Sequence, residues 1–186
     1  MLGRYDPDEF RLIERVIGGD PSAFSLLVEA QVGRLIALAT NMLSSASEAQ
    51  DCVQTVLASV WMTRERLDPE RPIAPYLTTI TLNKCRDRLR RRKAARFLGM
   101  GNATEGLSAM DNAPSPETIV GDRRLMARVQ AEIERLPINL REALVLVCVD
   151  GRSQREAAAL VGVTEKTIET RVYRARQKLR QRLNFQ

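Results

Sequence analysis

Apolar residues recur every three or four positions along several long segments of the chain, which is the spacing of one face of an α-helix. The clearest stripe lies near the C-terminus and comprises Ile168, Val172, Ala175, Leu179 and Leu183. Pro and Gly cluster between such segments, and only 4% of residues are aromatic. We therefore expect an all-α protein.

The segment 153–183 is predicted to form two helices joined by a tight turn. Ser153 and Glu156 have the spacing of a capping box, which marks the start of a helix. Gly162 falls where this helix must end, because glycine turns there without steric penalty. Thr164 can cap the next helix. Two helices joined by a short Gly-containing turn form a helix-turn-helix.

The polar face of the second helix suits the major groove of DNA. Long donors and a hydroxyl can reach base edges and phosphates, and the N-terminal part of this helix reads bases in the motif. The residues roughly opposite the stripe are Lys166, Thr170, Tyr173, Arg174, Gln177 and Gln181, and those on its flanks are Thr167, Glu169, Arg171 and Arg176. A merely solvated basic helix is the alternative, which ranks lower because the caps, the turn and the stripe occur together.

Caps and breakers delimit three helices in the first part of the chain. A short first helix should end at Gly18-Gly19, and Asp20-Pro21 should start the second. The second should end at 44–46. Ser47, with Gln50 completing a capping box, is predicted to open the third. On residue chemistry alone, the polar face of this third helix, with Glu48, Asp51 and Gln54, indicates a solvated surface.

A proline-rich loop is predicted at 67–75, followed by a helix from Pro75 to about Lys93. The C-terminal half of this helix contains seven cations against the single acid Asp87. The cations are Lys84, Arg86, Arg88, Arg90, Arg91, Arg92 and Lys93. Their mutual repulsion would be relieved by a polyanion, which favours a nucleic-acid contact.

Composition changes after this helix and divides the chain. The segment 94–122 is rich in Gly, Ser, Asn and Pro and predicts a flexible linker between domains at 1–93 and 123–186. In the second domain, Asn139 is predicted to cap a helix whose apolar run 143–149 should be the centre of the core. We thus expect two small helical domains, the C-terminal one a helix-turn-helix.

Charge and residue content exclude several classes of protein. The net charge of +6 is compatible with a polyanionic partner. With no histidine and no CxxC motif, we expect no metal site and no cofactor, and the thiols Cys52, Cys85 and Cys148 should be free. With no histidine, no phosphate-binding Gly loop and no carboxylate pair in an evident cleft, the sequence does not indicate an enzyme. The charged N-terminus and short apolar runs predict a cytoplasmic protein without a signal peptide or membrane insertion.

Nearly the whole chain resembles a bacterial sigma factor of the sigma-70 family, in the extracytoplasmic-function (ECF) class. In the first domain, SEAQDCVQTVLASVW is similar to the family's acidic-glutamine helix, and RLDPERPIAPYLTTITLNKCRDRLRRRK is similar to its promoter-melting segment. Gln50 stands where Glu is usual, and Tyr76 where Trp is usual. In the second domain, LPINLREALVLVCVDGRSQREAAALVGVTEKTIETRVYRARQKLRQRL is similar to the family's fourth region.

The resemblance implies that the first domain binds the clamp helices of the largest RNA polymerase subunit through Glu48, Asp51 and Gln54. It also implies that this domain recognises and melts the minus-ten element, with Asn83 as a pocket residue and the loop Arg66 to Pro72 helping to form the pocket. The residues that the resemblance assigns to recognising and melting the minus-ten element are Arg66, Leu67, Asn83, Lys84, Arg88, Arg90 and Arg91.

The resemblance further implies that the helix-turn-helix reads the minus-thirty-five element as a duplex, and that an anti-sigma factor holds the protein inactive. By position in the family, the base and near-base contacts are Lys166, Thr167, Glu169, Thr170, Tyr173 and Arg174, and Arg176 would neutralise phosphate. Glu169 stands where some relatives carry Arg. A carboxylate accepts from cytosine N4 and repels phosphate, so the promoter preference can differ.

Two other functions remain open from the sequence. A helix-turn-helix repressor or activator would bind palindromic duplex DNA by itself as a dimer. A sigma-like decoy would bind a regulator without directing transcription, although the basic helix and the complete recognition helix argue against it.

Overall fold

The computed structural model describes residues 6–98 and 117–183. Both ranges are helical and contain no strand, so the all-α prediction is confirmed. The N-terminal half contains α1 to α4, and the C-terminal half contains α5 to α8. The helices are α1 Pro7–Ile17, α2 Pro21–Leu43, α3 Ala46–Met62, α4 Ile73–Phe97, α5 Glu117–Glu134, α6 Ile138–Cys148, α7 Gln154–Val161 and α8 Glu165–Leu183, with a 3-10 turn at Arg64–Arg66 between α3 and α4.

Several predicted caps are present. The Asp20 carboxylate accepts hydrogen bonds from the backbone N–H groups of Ser22 and Ala23, at 2.9 and 3.1 Å, and Pro21 follows as the first residue of α2. Ser153 and Glu156 form the complete capping box of α7. Gly162 ends α7 in the left-handed region at φ 71°.

Two predicted caps are wrong by a short distance along the chain. Ser45, not Ser47, caps α3: its backbone is extended and its hydroxyl accepts from Glu48 N–H at 3.3 Å. The left-handed Ser44 directs the chain into the helix earlier than expected. Pro137 occupies the N-cap position of α6, and Asn139 lies in the first turn, where its side chain accepts from Leu140 N–H.

Helix boundaries also differ around the predicted loop and linker. The helix α4 begins at Ile73, ahead of Pro75, and Glu9 of α1 accepts a hydrogen bond from Ile73 N–H at 2.9 Å. A proline is tolerated there because the first turn of a helix has no internal acceptor for its N–H groups. At the other end α4 continues to Phe97, and α5 starts at Glu117. The centre of the predicted linker, 99–116, lies outside the described residues.

The helix α2 is the central element of the fold. It contacts α1, α3 and α4 in its own half and α5 and α6 of the C-terminal half. Leu35, Leu38, Ala39 and Met42 are completely buried. By length and composition alone α2 could cross a membrane, with an 18-residue window of mean hydropathy 1.4. Its contacts with five helices supply a packing reason for this apolar composition.

The two halves pack directly against each other. Besides the contacts of α2, α4 contacts α7. Val145, Leu146, Ala157 and Ile168 of the C-terminal half belong to the same buried cluster as the core of α1 to α4. A smaller cluster between α5, α6 and α8 contains Ile133, Leu136, Leu140, Leu144 and Ala175.

Candidate nucleic-acid interface

The helix-turn-helix consists of α7 and α8, and its second helix is oriented by the predicted stripe. Ile168, Val172, Ala175 and Leu183 are buried, and Leu179 packs against the smaller cluster. Thr164 caps this helix through its hydroxyl, which accepts from Thr167 N–H at 3.3 Å. Burial of this stripe turns the opposite face of α8 outward.

The outward face of α8 carries all of the side chains predicted to contact the minus-thirty-five element. Five are exposed, and the two threonines are half-buried. The exposed residues are Lys166, Glu169, Tyr173, Arg174 and Arg176; the threonines are Thr167 and Thr170. The structure therefore brings this set together on one surface.

Lys166 and Glu169 form an ion pair on that surface, with Nζ and Oε2 2.8 Å apart. The pair is exposed, so water screens it and it holds the two side chains only weakly. Glu169 also presents acceptor oxygens within an otherwise cationic face. The pair therefore places a donor and an acceptor side by side on this face.

A shallow depression adjoins the N-terminal part of α8 and the start of α6. Hydroxyl and cationic groups dominate its lining, a composition that suits phosphate oxygens. The lining residues are Asn139, Leu140, Thr164, Lys166, Thr167, Thr170, Arg171 and Arg174.

The predicted minus-ten residues of α4 differ in accessibility. Asn83, Arg90 and Arg91 are exposed, and Lys84 is half-buried. Arg88 is half-buried, and its Nη1 donates to the backbone oxygen of Glu48 at 2.8 Å. Arg88 thus joins α4 to α3 in this arrangement.

The predicted repulsion within the basic run is partly relieved inside the protein. Arg86 pairs with Glu142, Arg90 lies 3.7 Å from Asp87, and Arg92 pairs with Glu48. In the part of the chain that the structure describes, Arg91 and Lys93 form no ion pair. The need for a polyanion is therefore smaller than the count of charges suggests.

The segment between α3 and α4 places its two predicted site residues differently. Arg66 is exposed in the 3-10 turn, whereas Leu67 is only 8% exposed and belongs to the core. The side chain of Leu67 is therefore packed in the core in this arrangement, unlike that of Arg66.

The polar face of α3 retains two exposed members of the predicted polymerase-binding set. Asp51 and Gln54 are exposed. Glu48 is half-buried and pairs with Arg92, whose Nη1 also donates to the Leu43 backbone oxygen at 3.0 Å. The carboxylate of Glu48 is thus tied to α4.

The thiols of Cys52 and Cys85 meet between α3 and α4, with their sulfur atoms 3.8 Å apart, and Cys148 is exposed. All three are free, as predicted. The shared hydrogen bond and burial raise the pKa of Cys85 far above its usual range. Cys85 therefore stays protonated and packs as an apolar group.

Sequence reasoning missed a set of charged residues between the two halves. Arg34 Nη1 lies 2.6 Å from Asp150 Oδ1, Arg86 pairs with Glu142, and Arg141 Nη1 donates to the Met42 backbone oxygen at 2.6 Å. The only feature of the sequence that could have indicated these residues is a charged side chain inside an apolar segment, such as Arg34 in α2. That signal predicts a buried partner without identifying it.

Burial raises the pKa of Glu142, and the neighbouring Arg86 opposes the shift. The side chain of Glu142 is only 5% exposed. Desolvation therefore outweighs attraction to Arg86 in this pair.

Two models of known domains match this chain in order. Residues 27–95 match sigma-70 region 2, and residues 126–179 match sigma-70 region 4. The chain belongs to the sigma-70 family. The exposed face of α8 lies in the second matched region, and α3 and α4 lie in the first, so the candidate interface of this sigma factor is distributed over both.

Curated relatives place this sigma factor in the ECF class. It is 33% identical to the RNA polymerase sigma factor CnrH of Cupriavidus metallidurans over 90% of each chain. It is 29% identical to the ECF RNA polymerase sigma factor SigW of Bacillus subtilis, over 92% of this chain and 94% of that one.

Two solved structures share its fold. One is CnrH in complex with the cytosolic domain of CnrY, with a TM-score of 0.69 and 30% identity over 95% of this chain and 97% of that one. The other is the sigma factor RpoE in complex with the anti-sigma factor NepR from Bartonella quintana, with a TM-score of 0.64 and 25% identity over 87% of this chain and 96% of that one.

Proposed function

We propose that this sigma factor binds core RNA polymerase and directs transcription from promoters that it recognises at two elements. The observation that carries the proposal is the order of the two matched sigma-70 regions, together with a helix-turn-helix whose recognition helix buries one stripe and exposes a polar, cationic face. Its work is recognition and strand separation in the cytoplasm, where bacterial transcription takes place.

The helix α8 would read the minus-thirty-five element in the major groove. Lys166, Glu169 and Arg174 stand exposed on its N-terminal and middle turns, the part that reaches base edges in this motif. Arg176 stands one turn or less beyond and would neutralise phosphate.

The helix α4 and the loop before it would recognise and open the minus-ten element. A base taken from the stack must be held by hydrogen bonds to its edge, while cations hold the backbone. Asn83 is exposed and carries an amide that can both donate and accept. Arg66, Arg90 and Arg91 are exposed cations for the backbone.

Polymerase would bind the polar face of α3 through Asp51 and Gln54. Both are exposed and lie one helical turn apart, so one flat partner can contact both. Glu48 would contribute to this contact once its carboxylate has exchanged Arg92 for a group of the polymerase.

An inhibitory partner would hold this sigma factor until it is needed. Support comes from the two structural relatives: RpoE is bound to an anti-sigma factor, and CnrH is bound to the cytosolic domain of CnrY. We propose an anti-sigma factor that covers surfaces of both halves.

Run-off transcription with purified core polymerase tests the function. Core plus this sigma factor should initiate at specific genomic promoter fragments, and core alone should not. Arg174→Ala should weaken promoter binding, whereas Glu29→Gln, an exposed change on α2, should leave it unaltered. Failure to copurify with core, combined with no specific transcript, would refute the proposal; binding to palindromic duplex as a dimer would favour a repressor instead.

A further inference from the structure

A carboxylate of the first helix holds the start of α4. Glu9 Oε1 accepts a hydrogen bond from the backbone N–H of Ile73 at 2.9 Å. Ile73 is the first residue of α4 and is only 4% exposed. The two residues are 64 positions apart in the chain, so this bond fixes the end of the loop before α4 to a distant element.

The start of α4 has no acceptor close by in the sequence. The first N–H groups of a helix have no partner within the helix, and the side chain just ahead of it usually supplies one. Pro72 stands directly ahead of α4 and has no side-chain acceptor. Glu9 therefore takes the place of a local cap. Its negative charge also suits the positive end of the helix dipole.

The loop 66–72 depends on its two ends for its position. Within it, Asp68 Oδ2 lies 3.1 Å from Arg71 Nε, with side-chain exposures of 48% and 83%. Water screens such an exposed pair, so it fixes the loop only weakly. The first end is anchored by the buried Leu67, and the second by the buried Ile73 and its bond to Glu9.

The helix α1 borders the loop at both of these ends. It contacts the 3-10 turn Arg64–Arg66, where the loop begins. A small crevice at the other end is lined by Glu9 of α1 and by Pro69 and Pro72 of the loop. All of α1 precedes residue 27, where the match to sigma-70 region 2 begins. A helix outside the matched region thus borders a loop within it.

We propose that Glu9 is a positioning residue for the minus-ten pocket: by holding Ile73 N–H, it fixes the loop 66–72 in the shape that receives the extruded base. The purpose of this contact rests on the proposed function. A pocket discriminates between bases only if its walls keep their geometry, since a displacement of about 1 Å costs about 100-fold in rate. Glu9 acts through the loop, without contacting the base itself.

Three substitutions separate the hydrogen bond of Glu9 from its charge. Glu9→Gln keeps the length and the acceptor oxygen, Glu9→Asp keeps the charge on a side chain one carbon shorter, and Glu9→Ala removes both. Glu14→Ala is the matched control, because Glu14 is exposed on the same helix. Far-ultraviolet circular dichroism confirms that each variant is folded, and Glu9→Asp replaces Glu9→Ala if the latter does not fold.

Hydrogen exchange of the free full-length chain measures the position of the loop without polymerase. Backbone amides in 66–74 should exchange about fivefold faster in Glu9→Ala and Glu9→Asp, because a hydrogen bond that holds them has been lost. Glu9→Gln and Glu14→Ala should exchange at the rate of wild type. Unchanged protection in Glu9→Ala would overturn the role of Glu9 in holding the loop.

Run-off transcription with the holoenzyme measures base reading. A promoter that wild type uses is changed to each of the four bases at every position of the minus-ten element. In Glu9→Ala and Glu9→Asp, the preference at the position held by the pocket should fall about tenfold, with the preferences in the minus-thirty-five element unchanged. Glu9→Gln should restore it.

A merely stabilising cap would give a different result in the same assay. Initiation would then fall equally for all four bases, and the profile of preferences would stay that of wild type. Such a result in Glu9→Ala would overturn the positioning role, whatever the total amount of transcript.

The behaviour of wild type separates this proposal from the proposed function. If the wild-type holoenzyme initiates at specific promoters while the Glu9 variants keep its preferences, the positioning role is wrong and the function stands. If wild type never initiates with core, the function is wrong, and the purpose assigned to Glu9 is overturned with it.

Discussion

Gly162 is a residue whose identity the fold constrains directly. Its φ of 71° ends α7 in a conformation that costs other residues about 1–2 kcal/mol. A Cβ there meets nothing within 4 Å, so the penalty is conformational and not steric crowding.

Replacing Gly162 with alanine should therefore lower the free energy of unfolding by about 1 kcal/mol. Gly33→Ala is the matched control: Gly33 lies within α2, and a Cβ there also meets nothing within 4 Å. Because glycine weakens a helix interior, the control should be stabilised by about 0.5–1 kcal/mol. Urea denaturation measures both, and equal signs for the two substitutions would contradict the role assigned to Gly162.

Glu169 should determine one base of the minus-thirty-five preference. A carboxylate accepts from cytosine N4, whereas a glutamine amide forms two hydrogen bonds with adenine. Glu169→Gln should shift the preference at a single position from cytosine towards adenine, by about 1–3 kcal/mol. Selection from a duplex library with the holoenzyme measures this, and Glu165→Gln, which lies at the start of α8, should leave the preference unchanged. An unaltered preference would show that Glu169 does not contact a base.

Individual residues were predictable from the sequence where they act on near neighbours in the chain, and not where a distant helix determines their contacts. The cap and turn residues Ser153, Glu156 and Gly162 act on neighbours within a few residues, so their roles were predictable. The local pattern favours Ser47 over Ser45 as the cap of α3. The start of this helix is decided by a left-handed turn at Ser44, and a serine, unlike a glycine, gives no sequence signal for such a turn. Arg88 was expected to hold phosphate, and its bond to the Glu48 backbone depends on a helix 40 residues away in sequence.

At the scale of helices, α7 depends on its capping box. Ser153 N–H and hydroxyl both donate to Glu156 Oε2, at 2.9 and 2.8 Å. The backbone hydrogen bond is the largest cause that lowers the pKa of Glu156 below its ordinary value of 4.5. A carboxyl with a lowered pKa stabilises the folded state above its unfolded pKa and loses that contribution as the pH falls through its folded value.

Glu156→Gln should therefore destabilise the protein near pH 7 by a few tenths to about 1 kcal/mol, the range for exposed charges at a helix N-terminus. The difference from wild type should persist down to about pH 4.5 and shrink as the pH falls further. Urea titrations at successive pH values measure it, with Glu29→Gln as the exposed control. A difference that grows on acidification would contradict the stabilising role of the Glu156 carboxylate.

The two helices proposed to read DNA differ in how far their local patterns determine them. The stripe of α8 has a regular spacing, and its predicted polar face is the one that is exposed. In α4 the sequence of the basic run does not reveal which cations form ion pairs within the protein. Their acidic partners Glu48, Asp87 and Glu142 lie in three different helices. Periodicity predicts a face, and long-range packing decides which members of it are available.

At the scale of the whole molecule, the packing of the two halves against each other could not be predicted from the sequence. Arg34 and Asp150 are 116 positions apart, and no local signal joins them. Domain order and the helix-turn-helix were predictable because each is specified by contiguous residues. The central claim at this scale is a division of labour, in which α4 separates strands and α8 holds intact duplex while both are bound to polymerase.

Permanganate footprinting of a promoter fragment tests that claim most directly, because permanganate oxidises thymines that have left the stack. With core polymerase and this sigma factor together, thymines in the minus-ten element should become reactive while the minus-thirty-five element stays protected as duplex, and Asn83→Ala should reduce that reactivity. The sigma factor alone should produce no reactive thymines. Reactive thymines without polymerase, or none with it at a promoter that is bound, would contradict the account.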